Sequence, residues 1–178
     1  MYFDTRYLYV ILIVIALISI FSGGFSILSL LLTIPGVLIA ITFHEFAHAF
    51  VAVKLGDETP RNQGRLNLNP FSHLDPVGVV MLIFAHIGWG KPVQINPNNF
   101  TRKVSARTGE ALVSLAGPVM NFILAIVFAI IFYALQTFAT SFVLENQIGS
   151  IILAMIQYTV IVNVGLGVFN LIPLPPLD

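Results

Sequence analysis

His44, Glu45 and His48 lie within Thr42-Phe43-His44-Glu45-Phe46-Ala47-His48-Ala49-Phe50, one of the most apolar parts of the chain. On a helix, positions i and i+4 stack on one face. His44 and His48 can therefore offer two imidazole nitrogens to one metal ion. Glu45 stands beside the first of them, where a carboxylate can take a proton from a metal-activated water. The spacing H-E-x-x-H is that of zinc-assisted hydrolysis. Ionisable side chains in an apolar helix cost free energy, so their presence points to function. The other reading of these residues is a pair of pore-lining or hydrogen-bonded histidines with a buried proton carrier.

The surrounding chain is built for a bilayer. Of its 178 residues 57% are hydrophobic and 9% charged, against roughly 25% charged in a soluble domain. That excludes an ordinary cytosolic globule. Net charge is zero and the basic residues are scattered, so no nucleic-acid partner is expected. There is no cysteine, hence no disulfide framework, thiolate metal site or thiol nucleophile. The N-terminus lacks the plan of a cleavable signal peptide.

Positions 7–43 hold no charge, a run of 37 residues, whereas a membrane helix needs about 20. Ser22-Gly23-Gly24 breaks it. The pattern predicts a first membrane helix over 7–21 and a second over 29–55, with Pro35 as a kink or early position and Gly56-Asp57 as its end. A third helix is expected over 110–138 and a fourth over 148–171, stopped by Pro173, Pro175 and Pro176. Between the second and third, residues 57–109 hold most of the charge. Gly64 to Pro70 alternates like a strand, as does Lys91 to Ile95. The uncharged stretch 77–90 is too short to span. A small β-hairpin or re-entrant region at the membrane face is expected there, packed on helices or lining a wet cavity. The fold class is thus an all-α polytopic membrane protein with about four transmembrane helices.

All eight Lys and Arg (Arg6, Lys54, Arg61, Arg65, Lys91, Arg102, Lys103 and Arg107) fall on one side of such a four-span chain. The positive-inside rule makes that side the cytoplasm, together with the N-terminus, residues 57–109 and the C-terminus. The protein is expected in the cell membrane as a multi-pass chain with the lipid bilayer as partner.

A catalytic zinc site takes three protein ligands and a water. Asp178 is the preferred third ligand, because it returns to the cytoplasmic end behind a proline-fixed approach. His73, Asp75 and His86 are alternatives, although His73 and Asp75 also suit a turn. His86 and Trp89 suit the membrane interface. Asn121, in Ser114-Leu115-Ala116-Gly117-Pro118-Val119-Met120-Asn121, could donate to an oxyanion or simply bond another helix. Gly117 would let a neighbouring backbone come close. The Gly165-x-Gly167 pair suggests close helix packing. The proline-rich tail offers an edge that an unwound peptide could join.

Three clusters in order, H-E-F-A-H at 44–48, S-L-A-G-P-V-M-N at 114–121 and N-L-I-P-L-P-P-L-D at 170–178, resemble the site-2 protease family of intramembrane zinc metalloproteases. G-R-L-N-L-N-P at 64–70 and G-W-G-K-P-V at 88–93 extend the resemblance over nearly the whole chain. It is closest to compact prokaryotic members without a PDZ domain. The resemblance implies zinc (Zn2+) on His44, His48 and Asp178, with Glu45 as general base, and strengthens a catalytic role for Asn121. It implies one membrane-embedded metalloprotease domain over 1–178 that hydrolyses transmembrane or membrane-proximal peptide bonds of a membrane-protein substrate. In the family the aspartate is followed by glycine and more chain, so a chain ending on Asp178 is expected to be a C-terminally truncated piece. The alternative expectation is a non-catalytic membrane protein, either a metal or proton conduit or a pseudoprotease scaffold.

Overall fold

The structure, a computed structural model, describes residues 26–79, 89–101 and 104–171, with Val10, Val14 and Ile18 as isolated helical positions. Three helices among the described residues are long and apolar enough to cross a membrane. They are α1 (Ile27–Leu55), α3 (Ala106–Phe138) and α5 (Gln147–Asn170). Two short helices join them: α2 (Thr59–Asn62) after α1, and α4 (Thr140–Glu145) between α3 and α5. The first expected span, 7–21, lies outside the described residues apart from its three isolated positions.

Each long helix begins where a side chain can accept otherwise unpaired backbone N–H groups. Ser26 accepts from Ser29 N at 3.3 Å, Ser105 from Thr108 N at 3.1 Å, and Asn146 from Ile148 N at 2.8 Å. These caps start each helix one to four residues ahead of the apolar pattern. Gly56 closes α1 with φ 110°, a left-handed conformation that glycine adopts without a Cβ clash.

The helices meet along stripes of small and polar residues. On α3 the buried positions Gly109, Val113, Gly117, Asn121 and Ala125 recur every fourth residue. On α5 Thr159, Asn163 and Gly167 do the same. Outside these stripes Leu115, Val119, Ile126 and Ile130 are exposed, as suits helices facing lipid. Contacts pair Gly36 with Thr159, and Ala40 and His44 with Asn121, which in turn meets Asn163. Thus α1 and α5 run parallel, with α3 antiparallel to both. At Gly36 an added Cβ would lie 2.8 Å from the Thr159 Cα, so glycine sets the close approach of α1 and α5.

The region between α1 and α3 departs from the expected hairpin. Its described residues hold one isolated antiparallel bridge, Leu74 to Gly90, and two 3-10 turns, Pro70–Ser72 and Pro97–Asn99. The alternation at 64–70 is not a strand. Gly64 has φ 66°, Asn67 Oδ1 accepts from Asn69 N at 2.7 Å, and Asn69 Oδ1 accepts from Phe71 N at 3.1 Å. Asparagine side chains take the place of a ladder by bonding backbone two residues on. Residues 80–88, and with them His86, lie outside the described residues.

Candidate metal centre

The α1 helix buries His44, Glu45 and His48 against α3 and the segment that follows Trp89. Each imidazole is held through Nδ1. His44 Nδ1 meets Asn121 Oδ1 at 2.5 Å, and His48 Nδ1 meets the Val113 carbonyl oxygen at 2.7 Å. A carbonyl oxygen can only accept, so His48 carries its proton on Nδ1. Asn121 presents its oxygen to His44 because its Nδ2 donates to the Ala40 carbonyl at 3.2 Å and to Asn163 Oδ1 at 2.9 Å. In the neutral rings both Nε2 atoms therefore carry lone pairs, as metal ligands require.

The two Nε2 atoms also converge. An added Cβ on Gly117 would lie 2.6 Å from His44 Nε2 and closer still to His48 Nε2. The rings are nearly perpendicular, at 82°, with centroids 4.6 Å apart. Zinc binds imidazole nitrogen at about 2.0–2.1 Å in tetrahedral geometry. Two unprotonated nitrogens brought close together, where α3 has only a glycine, fit that ion. Pro118 follows at once and has no N–H, which relieves the Ser114 carbonyl of its usual helical partner.

Glu45 lies beside this space. Its Oε2 accepts from the Val93 N–H at 3.1 Å. Gly90 approaches from the same segment, and a Cβ there would be 3.0 Å from Glu45 Oε1. A cavity of about 90 Å³ opens between Glu45, His48, Pro92, Val93, Ile95, Val113 and Ser114. The carboxylate, one imidazole and Ser114 thus share a space large enough for a few waters.

The covering segment is tied down at both ends. Lys91 N donates to the His73 carbonyl at 2.7 Å, and Thr101 N to the Leu55 carbonyl at 3.0 Å. Between them Asp57 gathers Asn96 N at 2.6 Å, Asn99 Nδ2 at 2.9 Å and both the N–H and the hydroxyl of Thr59. Burial pushes the Asp57 carboxyl up, but these donors outweigh it and hold it below the ordinary carboxylate value. Phe100, Val104 and Ile95 pack on Ala52, Leu55 and Val113, which fixes the segment to the α1–α3 seam.

Among the described residues no third His, Asp or Glu completes a metal cluster. Asp178, the expected third ligand, lies outside them, as does His86. His73 and Asp75 sit in turn networks. His73 Nε2 donates to the Asn67 carbonyl at 2.8 Å, and Asp75 Oδ1 accepts from Val77 N and Gly78 N, each at 2.9 Å. Asn121 is fully buried behind His44, with both amide hydrogens engaged. Sequence reasoning passed over Asn163, whose side chain completes this arrangement. Its signal was a lone asparagine four residues after Thr159 and four before Gly167, a polar and small stripe on an apolar helix.

Residues 32–178 match the family model for peptidase family M50. The chain is 38% identical over 141 residues to the "Putative zinc metalloprotease YwhC" of Bacillus subtilis, covering 79% of this chain and 62% of the relative. It is 31% identical over 151 residues to the "Putative zinc metalloprotease Rip2" of Mycobacterium tuberculosis, covering 83% of this chain and 54% of that one. The Rip2 of Mycolicibacterium smegmatis is 34% identical over 154 residues, with the same coverage of 83% and 54%. The chain thus spans between about half and two thirds of the length of these relatives. No solved structure matches it.

Proposed function

The chain belongs to peptidase family M50, the site-2 protease family, and from that premise we propose that it is an intramembrane zinc metalloendopeptidase acting on transmembrane or membrane-proximal segments of other proteins. The observation that carries this reading is the convergence of His44 Nε2 and His48 Nε2 beside Gly117, next to the Glu45 carboxylate. His44, His48 and Asp178 would hold the ion. Zinc bound there supplies Lewis acidity, polarising a carbonyl and bringing the pKa of a water towards about 7.

The remaining chemistry falls to the chain. Glu45 takes the proton of the attacking water and passes it to the leaving amine. The Val93 N–H, at 3.1 Å from Glu45 Oε2, keeps the carboxylate turned towards the cavity. Asn121 and the Val113 carbonyl hold the two imidazoles in the ligating tautomer. For Asn121 this role accounts for its buried position better than oxyanion contact, since its amide hydrogens are already engaged. The apolar faces of α1, α3 and α5 set the reaction within the bilayer, and the basic residues at 54–107 orient that end of the site to the cytoplasm.

The test is Glu45→Gln in the purified protein. Stoichiometric zinc should remain, while cleavage of a membrane-protein substrate falls about 10²–10⁴-fold, the contribution expected of a positioned general base. Cleavage at the normal rate would overturn the mechanism, and a protein that binds no zinc would overturn the metal centre. Asp178→Ala should weaken zinc binding; full affinity in that variant removes Asp178 from the ligand set.

A further inference from the structure

Asn163 is a fully buried amide on α5 that the proposed reaction does not touch. Its Nδ2 donates to the Thr159 carbonyl at 2.8 Å, and its Oδ1 accepts from Asn121 Nδ2 at 2.9 Å. From there Asn121 Oδ1 reaches His44 Nδ1 at 2.5 Å. The links have a fixed polarity. Thr159 O can only accept, so Asn163 turns its NH2 towards it and its oxygen towards Asn121. Asn121 must then turn its NH2 to Asn163 and its oxygen to His44. An oxygen at that point requires the proton on Nδ1 and leaves the lone pair on Nε2.

The two imidazoles are not held in equivalent ways. His48 rests on a main-chain carbonyl, whose polarity cannot change. His44 rests on a side-chain amide, which could rotate by half a turn and offer NH2 instead. A rotated Asn121 would set its oxygen against both Asn163 Oδ1 and the Ala40 carbonyl. Of these two, Asn163 makes the shorter contact, 2.9 Å against 3.2 Å. We propose that Asn163 is a positioning residue: acting through Asn121, it fixes the tautomer and orientation of His44. This rests on reading His44 as a metal ligand. It also makes α5, which carries no residue of the H-E-x-x-H motif, a determinant of metal affinity.

The experiment uses the full chain in lipid nanodiscs with ¹⁵N-labelled histidine. His44 is assigned by its absence in His44→Ala, and the tautomer is read from the ring ¹⁵N shifts of zinc-free protein at a pH where the imidazole is neutral. Zinc affinity is measured separately by competition with a chelator. Wild type should show His44 as a single Nδ1–H tautomer. Asn163→Leu should show a mixture, with His48 unchanged and zinc binding weaker by about 10–100-fold, the range for loss of outer-shell support. Asn163→Asp, as a neutral acid in an apolar interior, can donate O–H to Thr159 and accept from Asn121, and should restore the wild-type spectrum and affinity. A single Nδ1–H tautomer with unchanged zinc affinity in Asn163→Leu overturns the proposal. So does an Nε2–H His44 in the wild-type zinc-free protein, which needs no variant to fold. The tautomer readout stands apart from protease activity, so an inactive protein with the expected spectra would count against the enzyme reading and leave this one intact.

Discussion

His44 Nε2 lies 2.6 Å from the point that a Cβ on Gly117 would occupy, and His48 Nε2 lies closer. Helix α3 therefore comes close to both imidazoles by having no side chain at one position of its buried stripe. Gly117→Ala should press a methyl group against both imidazoles, beside the place proposed for the ion. Either the imidazoles swing away or the helices separate. The expected outcome is loss of stoichiometric zinc and a fall in proteolysis of roughly 10²-fold or more, the scale of a 1 Å misplacement. Metal analysis of the purified variant, beside Gly165→Ala on α5, where an added Cβ would meet open space, as a control, checks it. Zinc retained at full occupancy would mean that the ion does not sit beside Gly117.

Much of this centre was legible in the sequence because its parts follow helical spacing. His44 and His48 at i and i+4, and the long uncharged runs, suffice to place two imidazoles on one face of an apolar helix. The caps were harder to read, since Ser26, Ser105 and Asn146 precede the apolar pattern rather than belong to it. The stretch 64–70 misled because alternation is also what Asx turns produce when asparagines occupy every second position. Asn163 was hidden for another reason: nothing local tells an interhelical amide that props up a ligand from one that merely joins two helices. Only the direction of its hydrogen bonds distinguishes them.

Asp57 links the end of α1 to the segment covering Glu45, and a second prediction follows from its four donors. Its folded pKa lies below the ordinary value of 3.8, burial being outweighed by those hydrogen bonds. The stability it contributes is thus fully present above that ordinary value and is lost as pH falls through the lowered one. Asp57→Asn replaces an acceptor by a donor facing N–H groups, and should destabilise this end of the protein by about 1–3 kcal/mol. Hydrogen exchange at 94–101 should quicken at neutral pH, and the variant's acid sensitivity below pH 4 should flatten relative to wild type. Unchanged exchange would show that the backbone bonds at Lys91 and Thr101 and the packing of Phe100 and Val104 hold the segment without Asp57.

His73 gives the other end of the same segment a response in a milder pH range. It is fully buried, its Nε2 donates to the Asn67 carbonyl, and its Nδ1 finds no partner among the described residues. Burial, reinforced by the nearby Arg65 charge, lowers its pKa below the ordinary 6.5 despite the Asn67 bond. A histidine that resists protonation only when folded contributes stability above 6.5 that is lost as pH falls through its lowered folded value. The His73 carbonyl holds Lys91 N at 2.7 Å, so loosening there should release residues 89–93 over Glu45. Acidification below pH 6.5 should accelerate hydrogen exchange at 64–75 and 89–93 before it affects α1, α3 or α5. His73→Gln keeps a donor for Asn67 and cannot titrate, so it should remove the pH response while leaving exchange at pH 7.5 near wild type. A response that persists in His73→Gln would assign it to another group.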